Sequence, residues 1–415
     1  MPQRHQLSSW IDGFIDYTNG IMSPLLHRKW AAIVTVAGAL ERKVWLRSQG
    51  EDIFPNLYVF LTGPPGSGKT RALMQCWYLW RELEGCNVAE ISLTKAALID
   101  SLSEGFRNSG AWGELPGFNS LLIAAPELGA LLPVYDAAFM NTLTHLYDGH
   151  VYTERRRTIK EEFVPIERPN INLIACTTPS FLNSSLPANA WNEGFLSRVC
   201  IAYSGEIISK PFNLGDAEDP PIRSRLRTAL VHDLKLINQR VGRLAWTAEA
   251  IKAAESFNDQ GFDLKTDDDV AVLPKPSHPR LLHYTTRRPV HFLKLCMICA
   301  ADHCAAVIDM PEVMGAIDLM VELEHSMPDI FTAMASGGDH QVMTDCAHWV
   351  MTETVRSFRE GVPMPLVFEY LATRAPATHA FRIFDAMVRA DMIRTVAIPG
   401  GHLIKARADK TKYDA

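Results

Sequence analysis

The chain has 415 residues and a mass of 46.3 kDa, enough for two or three domains at about 150 residues each. Hydrophobic residues at 47% and charged residues at 21% match ordinary globular usage and exclude a disordered, collagen-like or coiled-coil chain. Lys+Arg 41 against Asp+Glu 47 leaves a net charge of −6, which argues against a histone-like basic coat but allows a local basic strip. Met1 to His5 leads into no apolar run of signal type. Ala31 to Leu40, flanked by charged residues, is shorter than the ~20 residues a membrane span needs, so no membrane contact is expected. The eight cysteines are scattered rather than framework-like, and a reducing cytoplasm is the expected compartment. Cys296 and Cys299 form a C-x-x-C inside an apolar stretch with no second ligand pair, so they read as buried helix thiols.

In chain order, residues 24–46 have helical spacing of Trp30, Ile33, Val34, Ala37 and Leu40. Leu57 to Thr62 is apolar on both faces, as a central parallel strand should be. Further strands are predicted at Val88–Ser92, Leu121–Ala125, Ile171–Cys176 and Val199–Tyr203, with helices at Arg71–Glu84 and Ala137–Tyr147. This alternation predicts an α/β parallel sheet flanked by helices over about 50–205. Phe212 to Pro221 reads as a polar linker, and helical patterns follow to about Met334 with a polar break around Thr266–Ser277. After Ser336-Gly337-Gly338 the order is helix, helix, helix, then two short strands around Pro399-Gly400-Gly401, which suits a winged helix. The expected divisions are an N-terminal helical segment (1–48), a nucleotide-binding core (49–210), a helical lid (211–335) and a winged-helix domain (336–415).

The strongest motif is Gly63-Pro64-Pro65-Gly66-Ser67-Gly68-Lys69-Thr70, a complete G-x-x-x-x-G-K-[ST] between a buried strand and a helix. Its glycines let successive backbone N–H groups point inward at a helix N-terminus and cradle phosphates. Lys69 is expected on the β- and γ-phosphates and the Thr70 hydroxyl on Mg²⁺, with ATP as the nucleotide. Hydrolysis also needs an acid near the γ-phosphate. The candidate is Glu127, at the end of the apolar run Leu121-Leu122-Ile123-Ala124-Ala125-Pro126; the competing role for Glu127 is to cap the following helix.

That run resembles the Walker B element of additional-strand P-loop ATPases, with Pro126 where an Asp would stand. With Arg287-Arg288-Pro289 and Gly194-Phe195-Leu196-Ser197-Arg198, it makes residues 25–300 similar to the AAA+ module of phage and mobile-element replication proteins, related to superfamily 3 helicases and primase-helicase C-terminal halves. The resemblance implies a sensor 1 role for Thr177 or Thr178, an arginine finger at Arg198 reaching a neighbouring subunit, and a second sensor at Arg287 or Arg288. It also implies that the segment Asp148 to Arg168, two extended pieces around a polar turn, is a channel hairpin, with Arg155, Arg156, Arg157 and Lys160 on phosphates and Tyr152 stacking on a base. Those arginines have alternative partners in Glu154, Glu161 and Glu162.

In the C-terminal domain a helix from Thr378 to Ala390 is predicted to bury Phe381, Phe384, Met387 and Val388. It leaves His379, Arg382 and Arg389 for duplex DNA, or for a protein partner instead. The leading expectation is an ATP-dependent DNA helicase or translocase. It would work as a homo-oligomeric, hexameric ring on single-stranded DNA in phage or mobile-element replication, with any primase a separate protein. The alternative is a non-processive AAA+ switch: a helicase loader, a DNA-bound assembly factor or a defence or signalling ATPase.

Overall fold

The computed structural model describes residues 4–91, 93–108, 116–132, 136–153, 165–186, 190–191, 194–209, 221–260, 263–266, 269–272, 276, 278–357, 360–374, 377–399 and 401–406. The chain is a mixed α/β protein with two compact units, Met1–Ile330 and Phe331–Ala415.

The first unit is built on a five-stranded sheet, in spatial order Phe106–Arg107, Phe118–Ala125, Pro169–Thr177, Tyr58–Thr62, Val199–Tyr203. The last four strands run parallel, and only Phe106–Arg107 is antiparallel to its neighbour. Every residue of Phe118–Ala125, Pro169–Thr177 and Tyr58–Thr62 is buried, as expected for strands covered by helices on both faces. The expected strand Val88–Ser92 shortens to one parallel bridge, Val88 with Leu122.

Helices Leu25–Leu40 and Lys69–Trp80 pack on each other, and the Trp80 indole donates to the Thr35 carbonyl at 3.1 Å. On the sheet's other face the Tyr58 hydroxyl donates to the Leu143 carbonyl of helix Ala137–Tyr147 at 2.9 Å. The predicted helix over 24–46 ends at Leu40, and Val44–Ser48 turns back as a strand against Glu51–Ile53. The break lies at Glu41, which adopts φ 52° with its carboxylate fully buried between Lys43 (2.9 Å) and Arg107 (3.0 Å). That ion pair holds a backbone conformation a helix cannot continue through. The remaining helices of this unit include Pro221–Asn238, Ala248–Gln260, Leu282–Asp302 and Met310–Ser326. Cys296 and Cys299 are buried in Leu282–Asp302, and burial raises both thiols, which keeps them protonated. Among the described residues no helix is long and apolar enough to cross a membrane.

Helix Asp329–Arg356 begins at the end of the first unit, and in the second unit it is followed by Met364–Ala372, Ala377–Arg389 and the hairpin Ile393–Ile398 and Gly401–Ala406, whose second strand also pairs Val362–Pro363. The helix Ala377–Arg389 is turned from the predicted phase. Ala380, Ile383 and Met387 enter the core, while Phe381 is 72% exposed and Val388 38%.

Gly38 is where helix Leu25–Leu40 meets the Trp80 ring, and a Cβ there would fall 2.5 Å from Nε1 and 2.7 Å from Cε2. Alanine is the better helix former by about 1 kcal/mol, but overpacking a buried indole costs about 1–3 kcal/mol. Gly38→Ala is therefore expected to lower the urea midpoint of unfolding; a raised midpoint would show that the indole yields freely.

Candidate functional site

Strand Tyr58–Thr62 delivers the chain into Gly63–Gly68, and helix Lys69–Trp80 begins at once. Gly66 and Gly68 both sit at φ +79°, a region that favours glycine. A Cβ on Gly68 would meet the Met22 carbonyl oxygen at 1.6 Å, and one on Gly63 would meet the Ser204 carbonyl oxygen at 2.4 Å. The loop is thus clasped on two sides by backbone from distant parts of the sequence. Lys69 is 8% exposed, and its ammonium donates to Gly63 O (2.9 Å), Pro64 O (2.7 Å) and Ser67 Oγ (3.1 Å). Burial holds its pKa below the usual lysine range. Thr70 stands exposed in the first turn of the helix.

Beneath the loop, the fully buried His27 donates from Nε2 to the Thr62 carbonyl at 3.0 Å. Burial, with a smaller contribution from the nearby Lys69 charge, lowers its pKa to about 4, so the ring is neutral. The same carbonyl accepts the Ser204 amide at 3.0 Å. Two donors therefore fix the point at which the strand becomes the loop. Nothing in sequence spacing singles out His27 for this role.

Strand register sets what surrounds the loop. Thr62 pairs with Thr177, and Ala125 pairs with Ala175. Glu127, two residues past Ala125, consequently emerges level with Thr177, two strand spacings or roughly 10 Å from Thr62. Its exposed carboxylate has no hydrogen-bond partner among the described residues. Glu127 precedes helix Leu128–Leu131 but makes no side-chain cap bond, so the capping role is not taken up. Thr178 is engaged elsewhere, its Oγ1 accepting the Phe181 amide at 3.2 Å as a helix cap. By contrast the hydroxyls of Thr177 and Thr62 are buried with no partner among the described residues. Of the two threonines considered for a sensor, Thr177 has the uncommitted hydroxyl.

Arg198 lies toward the opposite end of the sheet. Arg198 precedes Val199, which pairs with Tyr58, while Tyr203 pairs with Thr62; four residues along a strand is about 13 Å. There Arg198 is 6% exposed, giving Nε to Asp148 Oδ1 (3.1 Å), Nη2 to Asp148 Oδ2 and Nη1 to Gly194 O (2.6 Å). Arg287 reaches the same carboxylate at 3.4 Å. Arg288 is buried and bidentate on Glu324 at 2.7 and 2.5 Å. Arg287 and Arg288, the two residues considered for the second sensor, are thus both engaged by carboxylates, and Arg198 is turned inward. A desolvated guanidinium needs a carboxylate partner, and the sequence gives no sign that Asp148 and Glu324 fill that need.

Tyr152 is 8% exposed, with its ring toward His145 (6.4 Å between centroids), so it presents no open face to a base. Its backbone forms an antiparallel pair with Ile166, at 2.8 and 3.0 Å. Arg155, Arg156, Arg157 and Lys160 lie outside the described residues. In the second unit Arg389 pairs with Asp385 at 2.7 Å and Arg382 is exposed, while the side chain of His379 is outside the described set. Among the described residues no group of three or more His, Cys, Asp or Glu is placed to hold a metal ion.

His27 and His291 both have pKa values lowered to about 4, chiefly by burial. In the unfolded chain each takes up a proton below about pH 6.5; in the fold neither does so until about 4. Their contribution is intact above pH 6.5 and is lost as pH falls toward 4, by up to about 1.4 kcal/mol per pH unit for each ring. His27→Gln, which keeps a donor for Thr62, is expected to flatten stability against pH by one proton's worth in urea unfolding at pH 7.5, 6 and 5. An unchanged slope would mean that His27 is protonated in the fold.

Protein-family models and curated proteins give no match to this chain.

Proposed function

We propose that this chain is a Mg²⁺-dependent ATPase of the AAA+ P-loop type, with its nucleotide on Gly63–Thr70 and Glu127 as the catalytic acid-base group. The observation that carries the reading is the partner-free Glu127 carboxylate beside the loop, with the uncommitted Thr177 hydroxyl on the strand between them. Backbone N–H groups of the loop and the Lys69 ammonium hold the β- and γ-phosphates. Glu127 accepts a hydrogen bond from the attacking water and aims its lone pair at the γ-phosphorus, while Thr177 positions that water or a γ-oxygen. Magnesium, for which the exposed Thr70 hydroxyl is the fitting protein ligand, neutralises phosphate charge when bound. Pro126 leaves it without the second carboxylate of a Walker B pair.

Lys69→Ala is expected to weaken ATP binding beyond detection in equilibrium titration. Glu127→Gln should bind ATP as the parent does yet turn it over about a hundredfold or more slowly. Parent-level turnover by the second variant would remove Glu127 from the mechanism.

The DNA-motor reading draws support from the Tyr152–Ile166 pair, which brings together the two ends of the segment carrying Arg155, Arg156, Arg157 and Lys160. Replacing those four by Ser should spare basal ATP hydrolysis. It should also flatten the salt dependence of single-stranded DNA binding by about 0.7 of a log unit for each phosphate no longer neutralised. Unchanged binding would leave the switch reading, which two features favour: Arg198 is held by Asp148 within its own subunit, and helix Ala377–Arg389 exposes an apolar side chain, Phe381, beside Arg382 and Arg389. In a hexameric ring, Arg198 could serve a neighbour only after leaving Asp148. Strand displacement on a forked duplex separates motor from switch.

A further inference from the structure

A cleft of about 600 Å³ opens in the first unit at the end of the sheet opposite the phosphate loop. It is lined by Asn56, two residues before strand Tyr58–Thr62, and by Pro169, the first residue of Pro169–Thr177. The loop follows Thr62, so the five residues of that strand put about 16 Å between the two places. The volume is within the range of small-molecule sites, about 300–1,000 Å³. The acids on its walls are Glu51, Asp52 and Asp148. Glu51 and Asp52 are exposed, and Asp52 is paired with Arg47 at 2.9 Å. Asp148 is shared by Arg198 and Arg287.

Two cations on the same walls, Arg42 and Lys294, have no carboxylate partner among the described residues. Arg42 gives Nη1 to the Gly149 and Pro169 carbonyls at 3.3 and 3.0 Å and lays its guanidinium 4.0 Å from the Phe54 ring centroid. Its Nε and Nη2 stay uncommitted among the described residues. Lys294, 3% exposed, is held only by neutral groups: Asn56 O and Oδ1, both at 2.7 Å, and the Tyr147 ring. Burial lowers both pKa values, that of Arg42 to about 10 and that of Lys294 well below the usual range, so the fold keeps these charges at a cost. The Tyr147 hydroxyl is also buried with no hydrogen-bond partner among the described residues. Phe54, Pro289, Val290 and Leu293 supply apolar surface.

We propose that this cleft binds a small organic anion, an apolar ring body carrying a carboxylate or phosphate head. The head takes the open edge of the Arg42 guanidinium on the side of Lys294, and the body covers Phe54, Val290 and Leu293. A planar guanidinium offers paired donors that match either head. The incoming anion supplies the countercharge that the folded chain gives neither cation. With Arg42, Arg287 and Lys294 all on its walls, the cleft repels a cationic ligand. The inference does not depend on the phosphate-loop reading above.

The test is calorimetric titration of the full chain with naphthoate and naphthyl phosphate, which share a ring and separate the two heads. Naphthalenemethanol, which has the ring without the charge, and inorganic phosphate, which has the charge without the ring, are the controls. At least one aromatic anion should bind about tenfold tighter or more than both controls, as a hydrogen bond to a charged group implies, and the tighter anion identifies the head. Arg42→Gln should weaken that anion about tenfold or more. Because Arg42 also ties Gly149 and Pro169, a second variant acts without touching those bonds. Val290→Glu sets a carboxylate on the apolar wall and should weaken the anion at least as much. Lys69→Ala, at the far end of the strand, should bind it as the parent does. Aromatic anions no tighter than naphthalenemethanol would overturn the inference, as would parent-level binding in both Arg42→Gln and Val290→Glu. Binding lost in Lys69→Ala but kept in both cleft variants would place the anion on the phosphate loop, overturning this inference and leaving the loop reading standing.

Discussion

The arrangement turns on the register of one short strand. Thr62 is paired with Thr177 on one side and Tyr203 on the other, and its carbonyl accepts both the Ser204 amide and the His27 ring. That double restraint sets the direction in which Gly63 leaves the sheet. It also assigns the neighbours, with Glu127 beyond Thr177 on one flank and Ser204 after Tyr203 on the other. A slip of one residue would exchange the faces of every side chain in the strand and carry the Thr62 hydroxyl away from the Thr177 side.

A second constraint is the capture of cations within the first unit. Asp148 gathers Arg198 and Arg287, Glu324 holds Arg288, and the buried Lys294 donates to Asn56 O and Oδ1, both at 2.7 Å, with its ammonium 4.0 Å from the Tyr147 ring centroid. Removing any one of these carboxylates would strand a desolvated charge, which is why such pairs resist rearrangement. Carboxylates also anchor the N-terminal segment: Asp233 accepts the Gln6 and Leu7 amides, and Asp302 accepts the Ile11 amide and the Ser9 hydroxyl. The same segment runs on to Met22, whose carbonyl lies against Gly68. Helices Pro221–Asn238 and Leu282–Asp302 are thereby linked through one stretch of backbone to the turn that precedes Lys69.

In the second unit, amphipathic spacing was sufficient to predict a helix but not its rotation. Phe381 and Phe384 both have ring contacts with Phe368, at 4.7 and 4.8 Å between centroids, yet Phe381 remains 72% exposed. The core is closed instead by the smaller Ala380 with Ile383 and Met387, against Val362 and Ile404 of the small sheet. Helical periodicity marks an apolar stripe about 100° wide, and the packing partners decide which edge of the stripe faces inward.

By itself the sequence determined the alternation of buried strands and helices, the phosphate loop and its flanking elements, and Glu127 as a carboxylate at a strand end. These are local: they follow from side-chain spacing along one element and from the backbone freedom of glycine in one turn. Tertiary structure decided which of Thr177 and Thr178 keeps an uncommitted hydroxyl, where Arg198, Arg287 and Arg288 point, that helix Leu25–Leu40 stops at Glu41, and that Tyr152 is buried. The buried charges depend on partners distant in sequence — Asp148 for Arg198, Glu324 for Arg288, Arg107 for Glu41 — because a buried charge or hydrogen-bonding group is satisfied by whatever the fold brings to it.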